Sequence, residues 1–339
     1  MPAALVAFTY TVVSWARQQI FAISVLTAVA LALVWPHAAE SKYAGLAAEL
    51  AVALIFFLQG LSLAMSKMLS GARPLRLHIF VLGWNFVLLP ALAALLIAPF
   101  SLLLGSELRV GIWMLAILPT TIASATALAA ASGGAVPQAI FASIFSNLLA
   151  VVLVPMLALA YFSTAAGVEM QFMLVWSKLF WIVVLPLLLG RGFRRAFRGG
   201  SVNLSRRVKW LPRAAIILIV YLSFSESVKA GFIDALPLAQ FIYVLAAIVL
   251  LLFFASVAVW FSSGWLGIRR DERVSAFFTA SQKSIATGLP LLTTTFAAMS
   301  VPLDRGLILV PLLIYHSLQL LVGAILVPKL GLYVSKEAS

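Results

Sequence analysis

A single lysine, Lys283, lies in the stretch TASQKSIATGLP (residues 279–290), between apolar runs and with no acidic residue nearby to pair with it. Its neighbours Ser281, Gln282 and Ser284 all carry side-chain oxygens. An ammonium buried in lipid costs about 3 kcal/mol on insertion scales. It must face a cavity, take backbone carbonyls as partners, or give up its proton. Snorkelling to the membrane surface is the ordinary alternative. Here about nine residues, roughly 14 Å at helical rise, separate Lys283 from the near end of its helix, which is long for a lysine side chain.

A second polar run reads LPTTIASATALAAASGG (residues 118–134). Pro119 has no N–H to donate and disfavours helix in the residue before it. Thr120 and Thr121 are then placed to cap a restarted helix, with Ser124 and Thr126 inside it. A helix broken in lipid must satisfy its freed backbone groups within protein or in a wet cavity. Half-helix ends of this kind are ready sites for ions and anions. A kinked helix packed by Ala, Ser and Gly is the other reading of the same residues.

Further polar groups fall in apolar segments: Asn85 in NFVLLP, and His316 and Gln319 in IYHSLQ. The last two are three residues apart and share a helix face. Ser143 and Asn147, four apart, can face one interior in the same way. These four, His316, Gln319, Asn147 and Ser143, are secondary candidates behind the set Lys283, Gln282, Ser281, Ser284, Ser124, Thr120, Thr121 and Asn85. His78 reads as interfacial. There is no cysteine, and only three histidines, so neither a thiolate site nor an imidazole cluster is on offer. No G-x-S-x-G, H-E-x-x-H or intramembrane carboxylate pair occurs. We expect no catalytic residue, no metal site and no cofactor.

The segments that carry these residues are apolar enough to cross a bilayer. The 339-residue chain is 64% hydrophobic and 10% charged, with a mean hydropathy of +1.13. Lipid must be the solvent for most of it. Ten spans are expected, at residues 21–35, 44–65, 77–100, 110–131, 136–162, 172–190, 210–226, 237–261, 274–298 and 306–330. The first is short, and the fourth and ninth carry the two polar runs. With ten spans both termini share a side. Placing them in the cytoplasm puts 17 of the 23 lysines and arginines on that face and five on the other, with Lys283 alone inside. That asymmetry sets the orientation. The expected location is the plasma membrane, in a bacterium the inner membrane, with both termini cytoplasmic. The net charge of +13 is thus an orientation signal, and no nucleic-acid partner is implied. The basic segment at residues 191–213 is placed to meet anionic lipid headgroups.

A repeat is also visible. LLAVVLVPML (148–157) and LLVGAILVPKL (320–330) align on Pro155 and Pro328. Five spans per half, an odd number, would make the copies inverted, as in many secondary transporters. The expected fold is therefore an all-α polytopic membrane protein of ten transmembrane helices in two inverted five-helix repeats. Residues 1–20 form an interfacial N-terminal helix or join the first span. The first repeat is 21–162, the first helix of the second 163–190, a basic cytoplasmic linker 191–209, the remaining four helices 210–330, and a tail 331–339.

The motifs FFLQGLSL (56–63), NFVLLP (85–90), LPTTIASATAL with its following GG, QKSIATGLP (282–290) and VPLLIYHSLQLLVGAILVP (310–328) resemble the bile acid:sodium symporter family. They are most similar to its divergent SBF-like branch, named for sodium/bile acid cotransporter seven. The resemblance covers nearly the whole chain. It implies a core domain of spans three to five and eight to ten moving against a panel of spans one, two, six and seven, with broken spans four and nine crossing in the core. The sodium-coupled members bind two sodium ions beside that crossing. By position Asn85, Ser124 and Gln282 match cation-site residues. Ala125, Ala142 and Phe278 replace an Asn, a Thr and the shared acidic ligand, and Lys283 replaces an Asn. The resemblance thus implies a transporter that is not sodium-coupled in the usual way. Lys283 would stand in for a coupling cation, either holding the broken helices or titrating to couple transport to protons. H+ or Na+ remains open as coupling ion.

The expected function is secondary active transport of an organic, anionic small-molecule solute by alternating access. A non-transporting membrane sensor or assembly component, and an intramembrane enzyme, are the alternatives.

Overall fold

The computed structural model describes residues 20–21, 23–37, 41–62, 70–166, 177–196, 210–231, 234, 236–299 and 304–335. The N-terminal segment read as interfacial, most of the basic linker and the end of the tail lie outside these. Among the described residues the regular structure is entirely helical. Six segments are long and apolar enough to cross a membrane: Ala44–Leu61, Leu75–Phe100, Val136–Phe162, Leu211–Lys229, Leu238–Leu266 and Arg305–Ser335. The protein is a multi-pass membrane protein.

In chain order the helices are α1 (Ile23–Val34), α2 (Ala44–Ser62), α3 (Leu75–Phe100), α4 (Ser106–Ala116), α5 (Ala123–Ala131) and α6 (Val136–Ala166). They continue with α7 (Leu185–Ala196), entered through a π turn at Phe180–Val184, α8 (Leu211–Lys229), α9 (Leu238–Ser263), α10 (Arg270–Ser281), α11 (Ile285–Met299) and α12 (Arg305–Ser335).

Two of the expected spans are each divided into a pair of short helices, α4 with α5 and α10 with α11. Pro119 accounts for the first division, since it cannot extend the ladder. None of the four pieces exceeds 15 residues, about 22 Å at helical rise, short of the ~30 Å hydrocarbon core. They must therefore sit inside the bundle, and they do. α10 packs on α3, α5, α6, α9 and α12, and α4 packs on α3 and α12.

α2 packs most closely on α7, through glycines on both sides. A Cβ on Gly60 would meet the Leu187 carbonyl oxygen at 2.0 Å, and one on Gly190 would meet that of Phe57 at 2.0 Å. Bare backbone on each helix lets the two axes approach, the usual means of helix association in lipid. Arg194 then donates to the Leu61 carbonyl at 2.8 Å.

Candidate functional site: the crossing of two broken helices

The local sequence frees a set of carbonyls before anything binds them. In α3 a π turn covers Trp84–Leu88, and the Leu89 N–H bonds back to the Trp84 carbonyl. The next donor that could serve Asn85 belongs to residue 90, which is a proline and has none. The Asn85 carbonyl is left outside the ladder by the sequence NFVLLP itself. At the end of α4, residues 117–122 leave the α-helix, so its last carbonyls also lack helical partners.

The Lys283 ammonium occupies this ring of acceptors. Its Nζ donates to the carbonyls of Leu118 at 2.6 Å, Ala116 at 2.9 Å and Asn85 at 3.1 Å, with the Asn85 Oδ1 at 3.2 Å. Lys283 is wholly buried. Four acceptors surround three N–H donors, so the ammonium has no donor left for a solute. Of the ways the sequence left open to satisfy it, backbone carbonyls are the one used. Charge is offset by the carbonyl end of α4, where the helix dipole is negative. Asn85 is itself oriented by its amide, which donates to the Thr279 carbonyl at 3.2 Å.

The two breaks also touch directly. The Ser284 N–H donates to the Pro119 carbonyl at 3.0 Å, and Ser124 Oγ donates to Gln282 Oε1 at 2.9 Å. Ser284 Oγ accepts the Thr287 N–H at 3.2 Å and so caps α11.

Each break is held from behind by the helix that follows it. Behind the second, Gln319 clamps one peptide unit: its Oε1 accepts the Lys283 N–H at 2.7 Å and its Nε2 donates to the Lys283 carbonyl at 2.8 Å. The same Nε2 lies 2.9 Å from His316 Nδ1. Tyr315 donates to the Ser281 carbonyl at 2.7 Å. Behind the first, Asn147 Nδ2 donates to the Thr120 carbonyl at 2.7 Å, Ser143 Oγ to the Thr121 carbonyl at 3.3 Å, and the Thr120 N–H donates to Ser146 Oγ at 3.4 Å.

All twelve candidate residues are buried and belong to this network. One detail differs from the sequence reading. Thr120 and Thr121 do not cap α5, whose N-cap is Ile122 without a side-chain bond; they contribute backbone to the break. His78, in the first turn of α3, is buried and bonded to the Gly71 carbonyl at 2.9 Å. Tyr315 and Ser146 were missed, although each neighbours a residue that was chosen and lies at helical spacing from the next. The positions that break the sodium pattern, Ala125, Ala142 and Phe278, are buried and bring no side-chain oxygen.

A second feature lies away from the crossing. A cavity of about 400 Å³ opens between α2, α8 and the helical residues that lead into α7 on one side, and α11 and the start of α12 on the other. Its lining includes Glu49, Lys178, Glu226 and Arg305, together with Ser223 and Thr294. None of the twelve candidates lines it.

A bundle of lipid-length helices built round a crossing of two interrupted ones defines a membrane transporter by class. The chain belongs to the SBF-like CPA transporter family, whose model matches residues 19–331. The resemblance drawn from the motifs is borne out. Sodium/bile acid cotransporter 7 of Danio rerio is 32% identical over 292 residues, 84% of each chain. The putative symporter YfeH of Escherichia coli is 30% identical over 313 residues, covering 90% of this chain and 91% of that one. An uncharacterized Pseudomonas aeruginosa protein, PA2026, is 30% identical over 279 residues, 82% of each. Membership makes the protein a transporter and not an enzyme.

Proposed function

We propose that the protein is a secondary transporter that moves an organic small-molecule solute by alternating access, with the Lys283 ammonium as a built-in cation at the crossing. The observation that carries this is the shell of Lys283: three main-chain carbonyls and one amide oxygen, with no carboxylate. Such an oxygen-only shell suits a small cation, and here the cation is covalently attached. It joins the end of α4 to the α10–α11 break, so the core moves as one piece.

Several observations support the ten-span, two-repeat plan. α4 packs on α12 as α10 packs on α6, and α5 packs on α12 as α11 packs on α6. α3 meets α4 as α9 meets α10. This reciprocity is what two copies related by a pseudo-two-fold produce. α2 packs on α7 and α8, and this group meets the rest through α11 and α12, which fits a panel set against a core. The 17-to-5 charge asymmetry supports cytoplasmic termini in an inner membrane. The basic segment 191–213 fits anionic headgroups there.

A fixed charge is favoured over proton coupling through Lys283. Among the described residues, His316 reaches the Lys283 backbone but not its ammonium, so no relay leads from one to the other. Lys283 is also not available to bind an anionic solute, so any anion must find its cation elsewhere. The test is solute flux into proteoliposomes with wild type and Lys283→Met. Wild-type flux in a well-folded Lys283→Met protein would overturn the reading.

A further inference from the structure

We propose that the cavity between α2, α8 and α11 is the outward-side solute site, and that it selects a zwitterionic solute, one bearing both a carboxylate and an ammonium. This rests on the transport reading above and names the substrate class for it.

Two pairs of opposite charge stand at the cavity. Arg305 Nη1 is 3.2 Å from Glu226 Oε2, and Lys178 Nζ is 3.7 Å from Glu49 Oε1. The four side chains are between 38% and 59% exposed. Pairs this exposed are weak, so an incoming ion can displace either partner. The lining is balanced: two carboxylates and two cations. A solute with a single negative charge would take one cation and leave its former carboxylate partner facing it. A zwitterion takes one member of each sign and leaves none unmatched. Selecting by charges left over is how a site rejects near relatives of its ligand.

The floor points the same way. Thr294 and Ser223 are 4% and 7% exposed and line the cavity. Thr293 and Thr295 on either side bond back to their own helix, Thr293 to the Pro290 carbonyl and Thr295 to the Leu291 carbonyl. The Thr294 hydroxyl makes no such bond, and neither does that of Ser223. Both residues line the cavity, so their hydroxyls are free to bond a polar ligand there. The walls supply the mechanism. One is α2, α8 and the residues leading into α7, the other α11 and the start of α12. A solute held between them couples the motion of the two groups.

The probes are leucine, 4-methylpentanoate and isoamylamine, which share a carbon chain and carry both charges, the negative alone or the positive alone. 6-Aminohexanoate adds a wider charge separation. Binding to purified protein is followed by calorimetry and thermal shift. At least one zwitterion should bind about tenfold or more tighter than both single-charge analogues, the effect of one charge-assisted hydrogen bond. That preference should vanish in Arg305→Gln and in Glu226→Gln, while Arg305→Lys keeps part of it. The melting temperatures of the unliganded variants report folding, and Lys178→Gln provides a second, independent cut. No zwitterion preference, or one that survives Arg305→Gln and Glu226→Gln, overturns the site. Because binding rather than flux is read, loss of the transport reading would leave this result standing, and the converse also holds.

Discussion

Between Ala116 and Ala123 the first break offers carbonyls; between Ser281 and Ile285 the second supplies donors. The carbonyls of Ala116, Leu118 and Pro119 accept from the Lys283 ammonium and the Ser284 N–H. The second break is in turn gripped by Gln319 and Tyr315 of α12. The first is gripped by Ser143 and Asn147 of α6, but there Thr120 Oγ1 and Asn147 Oδ1 are left without partners. The two breaks, which the proposed repeat would make equivalent, are thus complementary rather than alike. One is pre-loaded with a cation, and the other is shaped to receive it.

Removing the cation should have the largest effect. Lys283→Met takes donors from three buried carbonyls at once, and each orphan costs about 1–3 kcal/mol. Uptake into proteoliposomes should fall to background and the melting temperature should drop. Lys283→Arg should also fail, since a planar five-donor fork does not fit a shell arranged round one nitrogen. Next comes the grip on the second break. Gln319→Leu removes both bonds to the Lys283 peptide, and stability to denaturant should fall by about 2 kcal/mol, with flux reduced but measurable. Asn147→Leu should be milder, about 1 kcal/mol, because Ser143 and Ser284 still hold the first break. If Asn147→Leu were as damaging as Lys283→Met, the ordering of the two breaks would be reversed. The smallest effect concerns coupling. Replacing sodium by choline at constant ionic strength should leave wild-type uptake unchanged, because Ala125, Ala142 and Phe278 offer no oxygen where the sodium pattern asks for one. A saturable sodium requirement would show a cation site elsewhere.

Much of the crossing was legible because polar side chains are rare in lipid-facing sequence. Lys283, Gln282, Ser124 and Asn85 stood out for that reason alone, and they do converge. What they bond to was less accessible. The acceptors are backbone, and a carbonyl shows in sequence only where a proline removes its donor, as Pro90 does for Asn85. Thr120 and Thr121 misled by type: threonine favours caps, but here tertiary bonds from α6 captured their backbone first. The cavity was invisible for another reason. Glu226 and Arg305 are 79 residues apart, and each alone looks like an ordinary charge flanking a span. Only the fold pairs them.

The most direct test of a built-in cation is to remove it and offer a free one. Lys283→Ala leaves the oxygens of Asn85, Ala116 and Leu118 round an empty space of about ammonium size. A fixed ammonium predicts that this variant is inactive in choline and recovers both thermal stability and uptake in methylammonium or sodium, while wild type responds to neither. Uptake at the wild-type level by Lys283→Ala in choline, with no cation to fill the site, would contradict it.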